Sequence, residues 1–304
     1  LGGLPEMKIH SSVLAADAAL LGVALFWGMG YVAMKAALDS FTPFWLTVFR
    51  FLSAFALLCA LFGRRLVRLS PSALKAGLLA GGLLSLGFWV STVGLQYTTA
   101  GKQAFIVTAY VVVVPFLLWA ATRRFPGFGP FLAAALCLCG MFLLTLQDNL
   151  AIGLGDGLSL LCALFLALHM VVVERFVREI DPVAFAVLQI GVVGVATVPL
   201  ALAFEPFPGA VAPLGWAALA YNVLLGTVFA LVTQNLAQKY TSSTHTALIL
   251  SLEGVFGALT GALLLGESFT MRMVLGCALI FVSIRMAELL PSGPAAVPEP
   301  DAPA

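Results

Sequence analysis

The sequence predicts an all-α integral membrane fold: ten transmembrane helices arranged as two inverted five-helix repeats, with the N and C termini cytoplasmic. Three observations carry this expectation. The chain of 304 residues is 62% hydrophobic and 10% charged, with a mean hydropathy of +1.08, whereas soluble domains hold roughly 25% charged residues. It contains ten apolar windows of the length that crosses a bilayer as a helix, about 20 residues. Landmarks of the first half recur in the second at a nearly fixed offset.

The windows, in order, are 13–38, 42–63, 71–95, 101–122, 128–147, 155–178, 181–204, 213–238, 242–265 and 271–290. The first begins near Val13 and is long enough to span, so no cleavable signal peptide is expected. Residues 1–12 read as an N-terminal cytoplasmic segment. The chain opens Leu-Gly-Gly without methionine, and residues 1–6 are read as foreign to the native chain. Asp39-Ser40 and Pro43 part the first two windows, and Ser70-Pro71 opens the third. Pro126-Gly127 precedes the fifth, Asp148-Asn149 closes it, and Asp181-Pro182 opens the seventh. Pro206 with Pro208 precedes the eighth, and Gly266-Glu267 divides the last two. The tail 291–304 is proline-rich, lacks apolar periodicity, and is expected to be disordered and cytoplasmic.

Orientation follows from lysine and arginine in short loops. With the N terminus inside, the inner side receives Lys8, Arg64, Arg65, Arg68, Lys75, Arg123, Arg124, Arg175, Arg178, Lys239 and Arg285. The outer side receives Lys102 and Arg272, while Lys35 and Arg50 stay within spans. A net charge of +1 offers no basic face for nucleic acid. All five cysteines fall in apolar runs, which suits packing and argues against a disulfide framework or a zinc site. No metal and no cofactor are expected.

At an offset of 139, Asp17 meets Asp156, Ala24-Leu-Phe meets Ala163-Leu-Phe, and Pro43 meets Pro182. Tyr97-Thr-Thr-Ala resembles Tyr240-Thr-Ser-Ser at 143, about one helical turn more. The repeats are therefore 13–147 and 148–290. Five is odd, so a unit that starts inside ends outside and its copy runs upside down. Transporters recurrently use this arrangement, with the substrate near the midplane between the halves.

The set Phe26-Trp27-Gly28 with Lys35, Arg50, Tyr97-Thr-Thr-Ala-Gly-Lys102, Tyr110-Val-Val-Val-Val-Pro115, Leu252-Glu253-Gly254-Val-Phe256 and Gly266-Glu267 resembles the drug/metabolite transporter (DMT) superfamily, EamA-type ten-helix branch. The resemblance covers about residues 13–290. It implies export of amino acids, drugs or other small metabolites by alternating access, with proton coupling and uncoupled facilitation both open. It also implies a cavity built by helices one, three and four with six, eight and nine. The family usually carries proline after the helix-nine glutamate. Gly254 stands there, which puts the usual kink in question, although glycine still allows bending.

Ionisable groups within spans are functional candidates by default. Glu253 lies near the midplane, where it could exchange protons, bind a substrate amino group, or hold a neighbouring helix, with Arg50 as its tie. Arg50 itself needs a carboxylate, helix C-terminal carbonyls or water, and reads as a structural tie or a grip on a substrate carboxylate. Lys35 either snorkels to the outer headgroups or lines the outer mouth. Glu174, its repeat mate, is expected in a solvated cluster with Arg175 and Arg178. His169 takes the place of Gly30 and reads as a packing or a pocket residue. Trp27 and Tyr31 share a helix face, and Phe88, Trp89 and Tyr110 could complete an apolar box. Gly28 and Gly30 let a helix or substrate approach closely. Polar residues on the implied cavity helices are Gln96, Gln103, Thr108, Thr227, Thr233, Asn235 and Ser251, with Gln96 and Asn235 matched at the 139 offset.

An enzyme is not expected. Gly153-Leu-Gly-Asp156 fits an intramembrane aspartyl protease pattern, but no second aspartate lies inside a span, and Asp156 reads as a first-turn acid. There is no His-Glu-x-x-His, no Gly-x-Ser-x-Gly and no complete phosphate-binding loop. A non-transporting scaffold is the rival class, with Gly257-Ala-Leu-Thr-Gly261 as its packing motif. The expected partners are membrane lipid, a small-molecule substrate and protons. A monomer in a bacterial inner membrane suffices.

Overall fold

The computed structural model describes residues 4–67, 69–145, 153–265 and 270–290. The breaks expected at Asp148-Asn149 and Gly266-Glu267, the charge of Arg68, and the tail 291–304 lie outside them. The described residues form helices and no strand: α1 (Leu4–Leu38), α2 (Pro43–Leu66), α3 (Pro71–Gly94), α4 (Ala100–Val107), α5 (Tyr110–Thr122), α6 (Gly129–Thr145), α7 (Leu154–Phe176), α8 (Pro182–Phe204), α9 (Pro213–Val223), α10 (Ala230–Gln238), α11 (Ser243–Leu250), α12 (Leu252–Leu265) and α13 (Met271–Leu289). A π turn, Leu224–Phe229, joins α9 to α10. α1 starts upstream of its window, so part of the segment expected to precede it is helical.

Seven spans among the described residues are long and apolar enough to cross a membrane. Two are composite: Ala100–Thr122 contains α4 and α5, and Pro213–Gln238 contains α9, the π turn and α10. The windows at 128–147, 242–265 and 271–290 hold the shorter or less apolar α6, the pair α11–α12, and α13.

Local chemistry sets the helix starts. Pro43, Pro71, Pro182 and Pro213 each sit in a first turn, where a missing N–H costs nothing. Ser70 Oγ and Asp181 Oδ1 cap α3 and α8 by accepting from Ala73 N and Ala184 N. Thr99 Oγ1 accepts from Lys102 N at 3.2 Å, and Ser242 Oγ from His245 N at 3.2 Å. These two caps stand 143 residues apart, one at each copy of the repeated tetrapeptide.

Packing exchanges helices between the two halves of the sequence. α1 lies against α9, the π turn and α10, and against α11 and α12; α7 lies against α3, α4 and α5. α2 pairs with α8 and α6 with α13. Association inside lipid gains nothing from expelling water, so it depends on close contact of small residues. Gly28 supplies the closest approach to another helix's backbone: a Cβ there would collide with the Glu253 carbonyl and lie 2.8 Å from Gly257 N. α1 and α12 touch backbone to backbone at this point.

Candidate functional site

A cavity lies where α1, α3, α4, α7 and α9–α10 converge, with single residues added by α2, α5 and α12. Trp27, Tyr31, Phe88, Tyr110, His169, Glu253 and Arg50 line it. Of the other residues that the sequence proposed for the cavity, Trp89 donates Nε1–H to Thr197 Oγ1 at 2.8 Å, off the wall. Gln96 is exposed past the end of α3. Asn235 is fully buried behind the wall. The 139-residue match of Gln96 with Asn235 does not make them facing members of one cavity.

Two helical runs break beside the cavity. α4 gives way to α5 at Thr108-Ala109, and α11 to α12 at Ser251. Thr108 and Ser251 are 143 residues apart, and each returns its hydroxyl to its own helix, to Ala104 O and Leu248 O. Broken helices at membrane depth persist where side chains satisfy the freed backbone groups. Immediately after the breaks stand Tyr110 and Glu253, also 143 apart. The two face one another, Tyr110 Oη donating to Glu253 Oε1 at 3.3 Å. Gly254 N reaches Ser251 O at 3.2 Å. The bend therefore exists without the proline usual in the family.

Arg50 is not tied to Glu253. Its Nε donates to Thr227 Oγ1 at 2.6 Å and its Nη2 to Gly226 O at 3.0 Å, and its guanidinium lies over the rings of Phe88 and Phe51 at 4.8 and 5.3 Å. The π turn explains the partner. Its wider hydrogen-bond spacing frees a mid-span carbonyl, and Gly226 O receives both Arg50 and Trp27 Nε1, the latter at 2.9 Å. Thr227 Oγ1 in turn donates to Asn222 O, five residues back. A guanidinium at 4% exposure is thus held by a backbone dipole, and no carboxylate partners it among the described residues.

His169 joins a one-way chain. Asn235 Nδ2 donates to Leu231 O at 2.8 Å, and Gln189 Nε2 to Asn235 Oδ1 at 3.0 Å. Gln189 Oε1 must therefore accept, so His169 Nε2 carries the proton at 2.6 Å. In the neutral ring Nδ1 is then an acceptor. The histidine both packs and lines the cavity.

Lys35 and Glu174 depart from expectation. Lys35 neither snorkels nor stands at an open mouth: Nζ donates to Leu95 O at 2.6 Å and Thr98 O at 3.1 Å, carbonyls at the C-terminal end of α3. A cation is favoured there by the helix dipole. Glu174 is not in a cluster with Arg175 and Arg178. Its Oε2 accepts from Ser243 N at 2.8 Å and Ser243 Oγ at 2.5 Å, at the N-terminal end of α11, while Arg175 pairs with Glu179. Asp156 does serve as a first-turn acid, accepting from Gly153 N at 2.8 Å.

Sequence reasoning missed Asn222 and Gln234 on the cavity wall. Thr233, proposed instead of Gln234, is not on the wall, because the π turn shifts the register of α10 by one residue. It also missed the ion pair Asp156–Lys102 and the contact Asp17–His245, although the coincidence of Asp17 with Asp156 was a signal for them.

The EamA-like transporter family matches residues 14–146 and again residues 153–288. An "Uncharacterized transporter" of Archaeoglobus fulgidus is 32% identical over 276 residues, covering 91% of this chain and 86% of its own. "Uncharacterized transporter YoaV" of Bacillus subtilis is 24% identical, covering 88% and 94%. A solved crystal structure of a protein 18% identical shares the fold, with a TM-score of 0.75 over 91% of this chain and 97% of that one. With the same family pattern matched twice along one multi-pass helical chain, this protein belongs to the EamA-like transporter family.

Proposed function

We propose that the protein is a secondary carrier exporting small amphiphilic metabolites, with amino acids as the best-fitting class, by alternating access. The observation that carries this reading is the cavity's charge arrangement. One guanidinium, Arg50, and one carboxylate, Glu253, line a single space without being paired to each other. Trp27, Tyr31 and Phe88 line the same space. A zwitterion with an apolar side chain complements this set: its carboxylate meets Arg50, its ammonium meets Glu253, and its side chain meets the aromatic wall. The remaining wall is mostly apolar, with Gln103, His169, Asn222 and Gln234 among its further polar groups, which also suits hydrophobic efflux substrates that lack a carboxylate.

In this reading ten spans form two inverted five-helix halves, and the excess of lysine and arginine on one side sets both termini in the cytoplasm of a bacterial inner membrane. The exchange of helices between halves supports the two-fold relation, and a monomer completes the cavity. Proton antiport would use Glu253 as the coupling group, and uncoupled facilitation would use it for binding alone.

Reconstituted vesicles loaded with amino acids test the reading. Wild type is expected to show saturable, selective counterflow. If Glu253 couples protons, Glu253→Gln retains counterflow and loses accumulation driven by a pH gradient. If it binds the ammonium, counterflow itself falls, about tenfold or more for a lost charge-assisted contact. Absence of saturable flux for every amino acid tried, with hydrophobic cations carried instead, would replace the substrate class.

A further inference from the structure

Two polar side-chain pairs outside the cavity wall occupy repeat-related positions. Asp156, in the first turn of α7, takes Lys102 Nζ of α4 at 2.7 Å, and Thr98 Oγ1 donates to its other oxygen at 3.2 Å. Asp17 of α1, 139 residues earlier, takes Nε2 of His245, in the first turn of α11, at 3.1 Å. His245 in turn lies 143 residues after Lys102. Each pair thus joins the first helix of one half to the start of the broken helical run of the other half. None of the four residues lines the cavity.

The pairs sit at opposite ends of that cavity. Asp17 and Lys35 are 18 residues apart on α1, five full turns and about 27 Å, so they share a face. Lys35 bonds Leu95 O and Thr98 O, and Thr98 bonds Asp156. The Lys102–Asp156 pair therefore belongs to the Lys35 end. Trp27 and Tyr31, on α1 between Asp17 and Lys35, contribute to the cavity wall. α7 repeats the layout, with Asp156 and Glu174 also 18 apart, and Glu174 holds Ser243 beside His245. At either end, the last turns of one half's first helix and the acid of the other's meet at one helix junction.

Resting on the carrier reading, we propose that Lys102–Asp156 and Asp17–His245 are the two alternating latches of the cavity, each made while its own end is shut and broken when that end opens. A carrier built from inverted halves needs the same closure at both ends, and it must release them one at a time. The acids are partly shielded, with side chains 6% and 21% exposed for Asp156 and Asp17, so parting them from their partners requires water to enter. Opening an end supplies that water.

Accessibility of a cavity cysteine tests this without knowledge of the substrate. Ser91→Cys, which lines the cavity, is introduced into full-length protein whose five native cysteines are replaced. A membrane-impermeant maleimide is then applied to intact cells and to inverted membrane vesicles. Asp156→Asn is expected to raise labelling from one face about tenfold relative to the other, and Asp17→Asn to shift that ratio the opposite way. Exchanging the charges, Lys102→Asp with Asp156→Lys, is expected to restore the wild-type ratio. Lys102→Gln reports on the same end should Asp156→Asn fail to elute as a folded species. Wild type labelled from both faces, with ratios unmoved or moved in one direction by both variants, overturns the latches and leaves the carrier intact. Labelling from one face alone in every variant overturns the carrier reading as well.

Discussion

α1 and α7 are the same helix written twice, and their differences show what the repeat conserves. Both carry an acid, Asp17 and Asp156, and a charged residue 18 positions later, yet that residue is lysine in one and glutamate in the other. The sign follows the backbone pole that each meets. Lys35 reaches carbonyls ending α3, whereas Glu174 reaches the N–H and hydroxyl that begin α11. What is kept is the tie from first helix to junction, and the dipole at the junction selects the charge. At mid-helix the copies differ in bulk instead: Gly28 and Gly30 of α1 correspond to Ala167 and His169 of α7.

The first of these differences should give the largest effect. Gly28→Ala forces a Cβ into the Glu253 carbonyl and is expected to cost about 2–3 kcal/mol. The reverse exchange, Ala167→Gly, should cost only about 1 kcal/mol. Thermal unfolding in detergent would measure both, and equal losses would erase the distinction between the two crossings. His169→Leu comes next. It strands Gln189 Oε1 in the interior, a loss of about 2 kcal/mol, whereas Gly30→Ala meets nothing nearer than 3.9 Å and should stay within about 0.5 kcal/mol of wild type. The smallest effect belongs to the charged mates. Lys35→Met and Glu174→Gln should each lose about 1 kcal/mol, with Lys35→Met the larger because methionine leaves both carbonyls without a donor, whereas glutamine keeps an acceptor oxygen for Ser243. Solvated charges at either place would leave the unfolding temperature unchanged.

The all-helical apolar class and the twice-written family pattern were legible because both are signals spread over many residues. The broken helical runs were not. Thr108 and Ser251 are neither proline nor glycine, and the breaks are stabilised by each residue's own hydroxyl and by packing from other helices, as Cys137 Sγ on Ser251 Oγ shows. Of the candidate site, the sequence named the aromatic wall and the ionisable groups, since such groups are conspicuous among apolar neighbours. It could not name their partners. Glu174 has arginines beside it in the chain, and only the fold brings in Ser243. Arg50 has a mid-span carbonyl that no side-chain pattern announces.

That carbonyl belongs to the π turn, whose effect extends well beyond Gly226. In an uninterrupted helix, positions 222, 226, 229 and 233 would look the same way, spaced at 100° per residue. The surplus residue in the turn rotates everything downstream. Phe229 instead meets Phe26 edge-on, and Leu231 with Gln234 reaches the interior space beside Asn222. One extra peptide unit thus decides that an amide, and not a phenyl ring or a threonine, greets whatever enters.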